Sequence, residues 1–137
     1  MEKGLINENT IIVAHSLGAV FIPRYLADNN IKIYLYISIA GFLNDNSGIN
    51  GVKAAIDEFK PNEEQIDKAI ALMSIRYAVY SDTDHLNPKE ELEKYAERFN
   101  AEKVFIPNVG HMGRKSGVKE IPQVIDIIKV EIGVKKF

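Results

Sequence analysis

"TIIVAHSLGAV", Thr10 to Val20, is the stretch on which the fold turns. An apolar, β-branched run stops at a histidine, a serine and a residue pair ending in glycine, then resumes with helical spacing. The pattern reads as strand, sharp turn, helix. Two explanations of Ser16 fit it: a nucleophile raised on a strained elbow, or a side chain capping a helix over residues 17–29. An elbow needs small residues two places before and two places after the serine, because strand and helix backbones come close there; Ala14 and Gly18 meet that need. Such a turn exposes Oγ and aims the backbone N–H of Leu17 at a developing oxyanion. The first glycine of the usual elbow pattern is absent.

Working outward, three further short runs read as strands: Ile33–Ala40, Arg76–Ser81 and Lys103–Pro107, which with Thr10–Ala14 make four. All four have the apolar character of strands buried on both faces. Helical spacing fills the intervals. Over Pro88–Phe99, Leu92, Tyr95, Ala96 and Phe99 share one face, with Asn87 as the expected cap, Pro88 at the first helical position and Glu90 completing a capping box. "PNEEQIDKAIALM" predicts a second helix capped by Asn62, with Gln65 three residues later and Ile66, Ala69, Ile70 and Met73 on one side. The last helix carries Ile121, Ile125, Ile128 and Ile132 as its expected buried stripe, and Gly133 is a natural stop.

Strand and helix alternating with long connections imply parallel strands joined by right-handed crossovers, hence an α/β fold with flanking helices. Chemistry in such folds gathers at the carboxyl ends of the strands. The polar residues there are His15 and Ser16, then Asn44 to Asn46 in the flexible-looking loop "NDNSGING", then "SDTDH" at 81–85, and finally Asn108 to His111. Ser16, the carboxylates Asp82 and Asp84, and His111 therefore follow in the order serine, acid, histidine. A serine hydroxyl is a weak nucleophile near neutral pH. His111 can take its proton, and Asp84 can hold the imidazole tautomer and stabilise the imidazolium. Acidic turn residues and a histidine at a loop tip would account for the same letters taken one at a time.

Composition narrows the classes. The 137 residues suit one domain; 17 basic and 19 acidic side chains give a net charge of −2 with no basic stripe, which argues against nucleic acid. No cysteine is present, so disulfides and thiolate chemistry are out, and a reducing cytoplasm is the expected location. "MEKGLINENT" has no signal-peptide core, and "IYLYISIAGFL" is too short to span a bilayer, so no membrane partner is expected. His15, His85 and His111 lack the spacing of a helical metal site, and neither metal nor cofactor is expected.

"IIVAHSLGAV", "AVYSDTDHLNP" and "IPNVGHMGRKSGVKEIPQVIDII" resemble, in order and over essentially the whole chain, the small α/β-hydrolases grouped with retinoblastoma-binding protein nine and the bacterial YdeN proteins. That pattern runs VGHSLG, S-x-x-D-x-x-x-P, then GH followed by G-x-x-x-x-P. The resemblance implies Ser16 as nucleophile, Asp84 as the acid four residues before a proline and His111 as base, with His15 supporting the elbow and Leu17 the oxyanion donor. It also implies carboxylesterase or amidase chemistry on a small ester or amide through an acyl-enzyme. Three departures stand out. Ala14 replaces a glycine. Pro23 lies inside the first helix, at about 3 kcal/mol unless the lost hydrogen bond is accommodated. Relatives also begin with further strands and a second oxyanion loop. The expectation is therefore a single domain over 1–137, N-terminally truncated relative to the family. Its first strand would pair near Ile11 and Val13 in a homodimer or with a complementing upstream polypeptide. The competing reading is a catalytically silent fragment acting as an interaction or assembly module.

Overall fold

The computed structural model describes residues 4–45 and 48–133; Asn46 and Ser47, within the loop expected to be flexible, lie outside the described residues. Four parallel strands, β1 (Ile11–His15), β2 (Ile33–Ile39), β3 (Met73–Tyr80) and β4 (Glu102–Phe105), form one sheet in the order β1-β2-β3-β4. Right-handed crossovers that always step in the same direction put their helices on the same face. Accordingly α1 (Gly18–Asn29), α3 (Glu63–Leu72) and α4 (Lys89–Arg98) share one core with β2, through Leu26, Ile66, Ala69, Tyr95, Phe99 and Tyr36. The opposite face is covered by α5 (Pro122–Glu131), which brings Val124 and Ile127 onto Leu35, Ile37, Val79 and Ile106.

That unequal coverage corrects the expectation of four strands buried on both faces. β2 is buried along nearly its whole length, whereas Val13 of β1 is 44% exposed and β4 is mostly exposed, because both are edge strands. A helix absent from the sequence reading, α2 (Val52–Phe59), follows the Asn44–Gly51 loop and buries Ile56. The capping box at Asn62 and Gln65 is present in both directions. At α4 the cap differs from expectation: Pro88 is the N-cap, Asn87 is buried, and no side chain caps the helix. The turn before it is held by Asp84, whose Oδ1 accepts the N–H groups of Leu86 and Asn87 at 2.8 and 3.1 Å. The stripe expected for α5 also shifts. Ile125 and Ile132 are half exposed, and Val124 and Ile127 are buried in their place.

Pro23 is accommodated by a distant side chain. It cannot donate to the carbonyl of Ala19, which would leave a buried acceptor unpaired. The Tyr95 hydroxyl, from α4, donates to that oxygen at 2.6 Å, and Tyr36 lies 2.8 Å from the same hydroxyl, so Tyr36 is the donor in that second contact. Burial raises the pKa of both phenols and keeps them protonated. Gly41 makes room for this arrangement, since a Cβ there would stand 2.9 Å from the Tyr95 ring.

Candidate active site

The strand-to-helix turn after β1 puts Ser16 in the left-handed region, at φ 56°. A non-glycine residue is rarely held there without surrounding structure that over-determines it. Here the Ser16 N–H donates to Ile39 O at 2.9 Å, tying the turn to β2. A Cβ placed on Gly18 would sit 3.8 Å from the Ala14 Cβ, an ordinary contact distance, so strand end and helix start lie close together at these two small residues. The N-cap of α1 is Leu17, and no side chain caps the helix. Ser16 Oγ instead lies 2.8 Å from His111 Nε2. Leu17 opens α1, where helix geometry leaves the first N–H groups without intrahelical acceptors.

His111 Nδ1 is 2.7 Å from Asp84 Oδ2, and the Asp84 side chain is fully buried. Burial pushes the Asp84 carboxyl up. The hydrogen bond from His111, the two backbone N–H groups of Leu86 and Asn87, and the charge of His111 together outweigh it and hold the carboxyl below its ordinary value. The pair is thus built around an ionised Asp84 that accepts every one of these hydrogen bonds. Asp82 faces elsewhere: its Oδ1 accepts the N–H of Asn108 at 3.1 Å.

Asp82 belongs instead to a set of three side chains that hold the loop after β4. Ser81 Oγ accepts from the Val109 N–H at 3.1 Å, and Thr83 Oγ1 from the Gly110 N–H at 3.0 Å. Three consecutive side chains after β3 therefore receive three consecutive backbone donors leading to His111. The histidine loop needs that support because Asn108, Gly110 and Met112 all have positive φ. Gly110 suits this loop, since a side chain at its positive φ would be strained and a Cβ would stand 2.7 Å from Ser116 Oγ, which would have to move. The run "SDT" facing "NVG" was the available signal, but pairing across two loops is invisible without the sheet that aligns them.

All three histidines, far apart in sequence, converge. The His15 and His111 rings are 5.0 Å apart, and those of His85 and His111 are 6.0 Å apart. His15 Nε2 is 2.8 Å from the His111 carbonyl, a ring N–H donor bracing the His111 loop against the turn after β1. Among the described residues no group of three or more potential ligands is arranged to hold a metal ion, and no helix is long and apolar enough to cross a membrane.

Two cavities flank the Ser16–His111 pair. One, of about 130 Å³, is lined by Ser16, Leu17, Phe42, Asp45, Val52 and neighbouring residues. The other, of about 190 Å³, lies on the histidine side with His85, His111, Gly113, Arg114 and Lys115 in its wall. Ile49 and Leu86 line both, so the cavities are adjacent.

The same architecture occurs in known hydrolases. The chain is 26% identical over 125 residues to the putative hydrolase YdeN of Bacillus subtilis (strain 168), a match that covers 90% of this chain and 64% of the relative. It therefore spans under two thirds of that protein's length. The crystal structure of the B. subtilis ydeN gene product superposes with a TM-score of 0.81 at 25% identity, over 93% of this chain and 68% of the other. A meta-cleavage product hydrolase from Pseudomonas fluorescens shares the fold alone, with a TM-score of 0.62 at 8% identity over 94% and 66% of the two chains. The family model described as serine hydrolase matches residues 3–130, nearly the whole chain, and with it the elbow and the loops after β3 and β4: the chain belongs to the serine hydrolase family.

Proposed function

We propose that this chain hydrolyses a small carboxylic ester or amide through an acyl-enzyme on Ser16, with His111 as base and Asp84 as the acid of the triad. The observation that carries this reading is the continuous contact of Ser16 Oγ with His111 Nε2 and of His111 Nδ1 with Asp84 Oδ2, at 2.8 and 2.7 Å. His111 removes the Ser16 proton as Oγ bonds to the carbonyl carbon, and the ionised, buried Asp84 stabilises the imidazolium that forms. The Leu17 N–H donates to the oxyanion. As the tetrahedral adduct collapses, the bond to the leaving oxygen or nitrogen breaks and the leaving group departs with the proton held by His111. Water activated by the same imidazole then releases the acid and regenerates Ser16.

The acyl group occupies the cavity beside Ser16 and Leu17. Its volume of about 130 Å³ is close to that of an apolar cavity of about 150 Å³ that holds one benzene. A short, apolar acyl chain of a few carbons is the substrate class that fits. The cysteine-free chain needs no oxidising compartment, and we place the reaction in the cytoplasm.

The test is labelling with a fluorophosphonate, which phosphonylates only an activated serine. Covalent mass on Ser16, absent from Ser16→Ala and sharply reduced in His111→Ala, is the expected result; a folded protein that stays unlabelled overturns the reading.

A second element concerns assembly. Thr10 O accepts from Tyr34 and Leu35, and Ser16 N–H donates to Ile39 O. The alternation of a parallel ladder then turns the backbone groups of Ile11, Val13 and His15 outward from β1, the edge of the sheet. That edge favours pairing with a second copy or with a separate strand-bearing polypeptide. Such pairing would add a strand beside the elbow, where a further oxyanion donor belongs. Sedimentation resolves this: a concentration-independent monomer with slow amide exchange at Ile11 and Val13 refutes it.

A further inference from the structure

We propose that the leaving group of the substrate is anionic, a carboxylate- or phosphate-bearing alcohol or amine seated beside Arg114 and Lys115. This rests on the reading of Ser16 as the acylated residue and goes beyond it by fixing which way round the substrate lies. In an acyl transfer the leaving group must depart on the histidine side, because it takes with it the proton that His111 received from Ser16 as the bond to the acyl carbon breaks. The cavity on that side is the one walled by His85, His111, Gly113, Arg114 and Lys115.

Its charge is one-sided. Among the described residues no aspartate or glutamate lines it, while an arginine and a lysine do, both exposed on the short 3-10 turn Arg114–Ser116. Neither cation forms an ion pair with any described residue. The carboxylate that contacts His111, Asp84, is fully buried and engaged by the His111 ring. A substrate with negative charge on its leaving group is thus drawn to the side where departure is productive. The 3-10 turn holding them is itself seated by the Ser116 N–H donating to Gly113 O, immediately beyond His111.

The experiment compares two esters with the same acyl group, 4-nitrophenyl butanoate and 3-carboxy-4-nitrophenyl butanoate, each rate divided by its own hydroxide-catalysed rate. The expected result is a several-fold higher normalised kcat/KM for the carboxylated ester. That preference should shrink as salt is raised from about 20 to about 500 mM, in keeping with exposed cations. In the double variant Arg114→Gln, Lys115→Gln the several-fold preference should disappear, the ratio of the two esters returning to near one, with the loss carried mainly in KM. A ratio near one in the unaltered protein, or one unaffected by the double variant, overturns the assignment. Fluorophosphonate labelling run in parallel separates the causes. A labelled Ser16 with no ester preference removes only the anionic leaving group; an unlabelled Ser16 with neither ester cleaved removes the hydrolase reading and this inference with it.

Discussion

Substituting Tyr95 by Phe removes one oxygen atom, and the fold gives that atom two tasks. It donates to Ala19 O, an acceptor whose intrahelical donor is missing because residue 23 is proline, and it accepts from the Tyr36 hydroxyl. Tyr36 and Tyr95 are each 1% exposed and Ala19 is fully buried, so water cannot substitute. A buried polar group left without a partner costs about 1–3 kcal/mol. With two such groups, and some relief from removing a hydroxyl from the core, Tyr95→Phe should destabilise by roughly 2–4 kcal/mol, a large share of the roughly 5–15 kcal/mol typical of a domain. Urea unfolding followed by circular dichroism reads this as a lowered midpoint with an unchanged slope. Pro23→Ala tests the cause, because an alanine N–H can donate to Ala19 O and relieve Tyr95 of one task. In that background the cost of Tyr95→Phe should drop by roughly 1–2 kcal/mol. A cost below about 0.5 kcal/mol, or the same cost in both backgrounds, would refute the argument that Tyr95 replaces the hydrogen bond removed by Pro23.

Asp84→Asn should lower the rate of ester hydrolysis by about 10⁴ through loss of the productive imidazole tautomer, whereas Asp82→Asn, which alters an acceptor for Asn108 N–H and the Ser81 hydroxyl, should cost far less; a larger loss from Asp82 reverses the assignment. Thr83→Val leaves the Gly110 N–H without its acceptor and should reduce kcat more than it raises KM, with Thr83→Ser restoring it; a purely KM effect would show that the histidine loop does not move. The depressed folded-state value of Asp84 also sets an acid limb of stability. The unfolded carboxyl titrates near about 3.9, so its contribution is complete above that pH and is lost as pH falls through the lower folded value. Denaturant midpoints measured below about pH 4 should fall less steeply in Asp84→Asn than in the unaltered chain.

Much of the site can be read from the chain because its pieces are local. The elbow is a five-residue pattern, and the run 81–88 announces a turn before a helix. Asn62 and Gln65 close a capping box using only neighbours in sequence. Such features depend on backbone geometry within a turn or two, and nearby residues determine that geometry directly. The cap of α4 marks the limit. Asn87, Pro88 and Glu90 satisfy the local rule, yet Asp84 takes the Asn87 N–H because the carboxylate is already fixed by His111 from another loop.

By itself, the amino-acid sequence determined the alternation of strands and helices, the serine, acid, histidine order, and the strand ends at which those residues stand. Periodicity and strand-end chemistry are carried by each segment alone. Tertiary structure decided which of two aliphatic stripes of α5 is buried, since a helix with isoleucines around much of its girth satisfies a 3.6-residue period on more than one face and only the sheet beneath Val124 and Ile127 selects between them. It decided that Tyr95 would serve the carbonyl orphaned by Pro23 and that Ser81, Asp82 and Thr83 would hold the loop of His111. It also brought three distant histidines to one rim. These are contacts between segments far apart in the chain, and their partners are set by the parallel register of β1 to β4, which no single segment specifies.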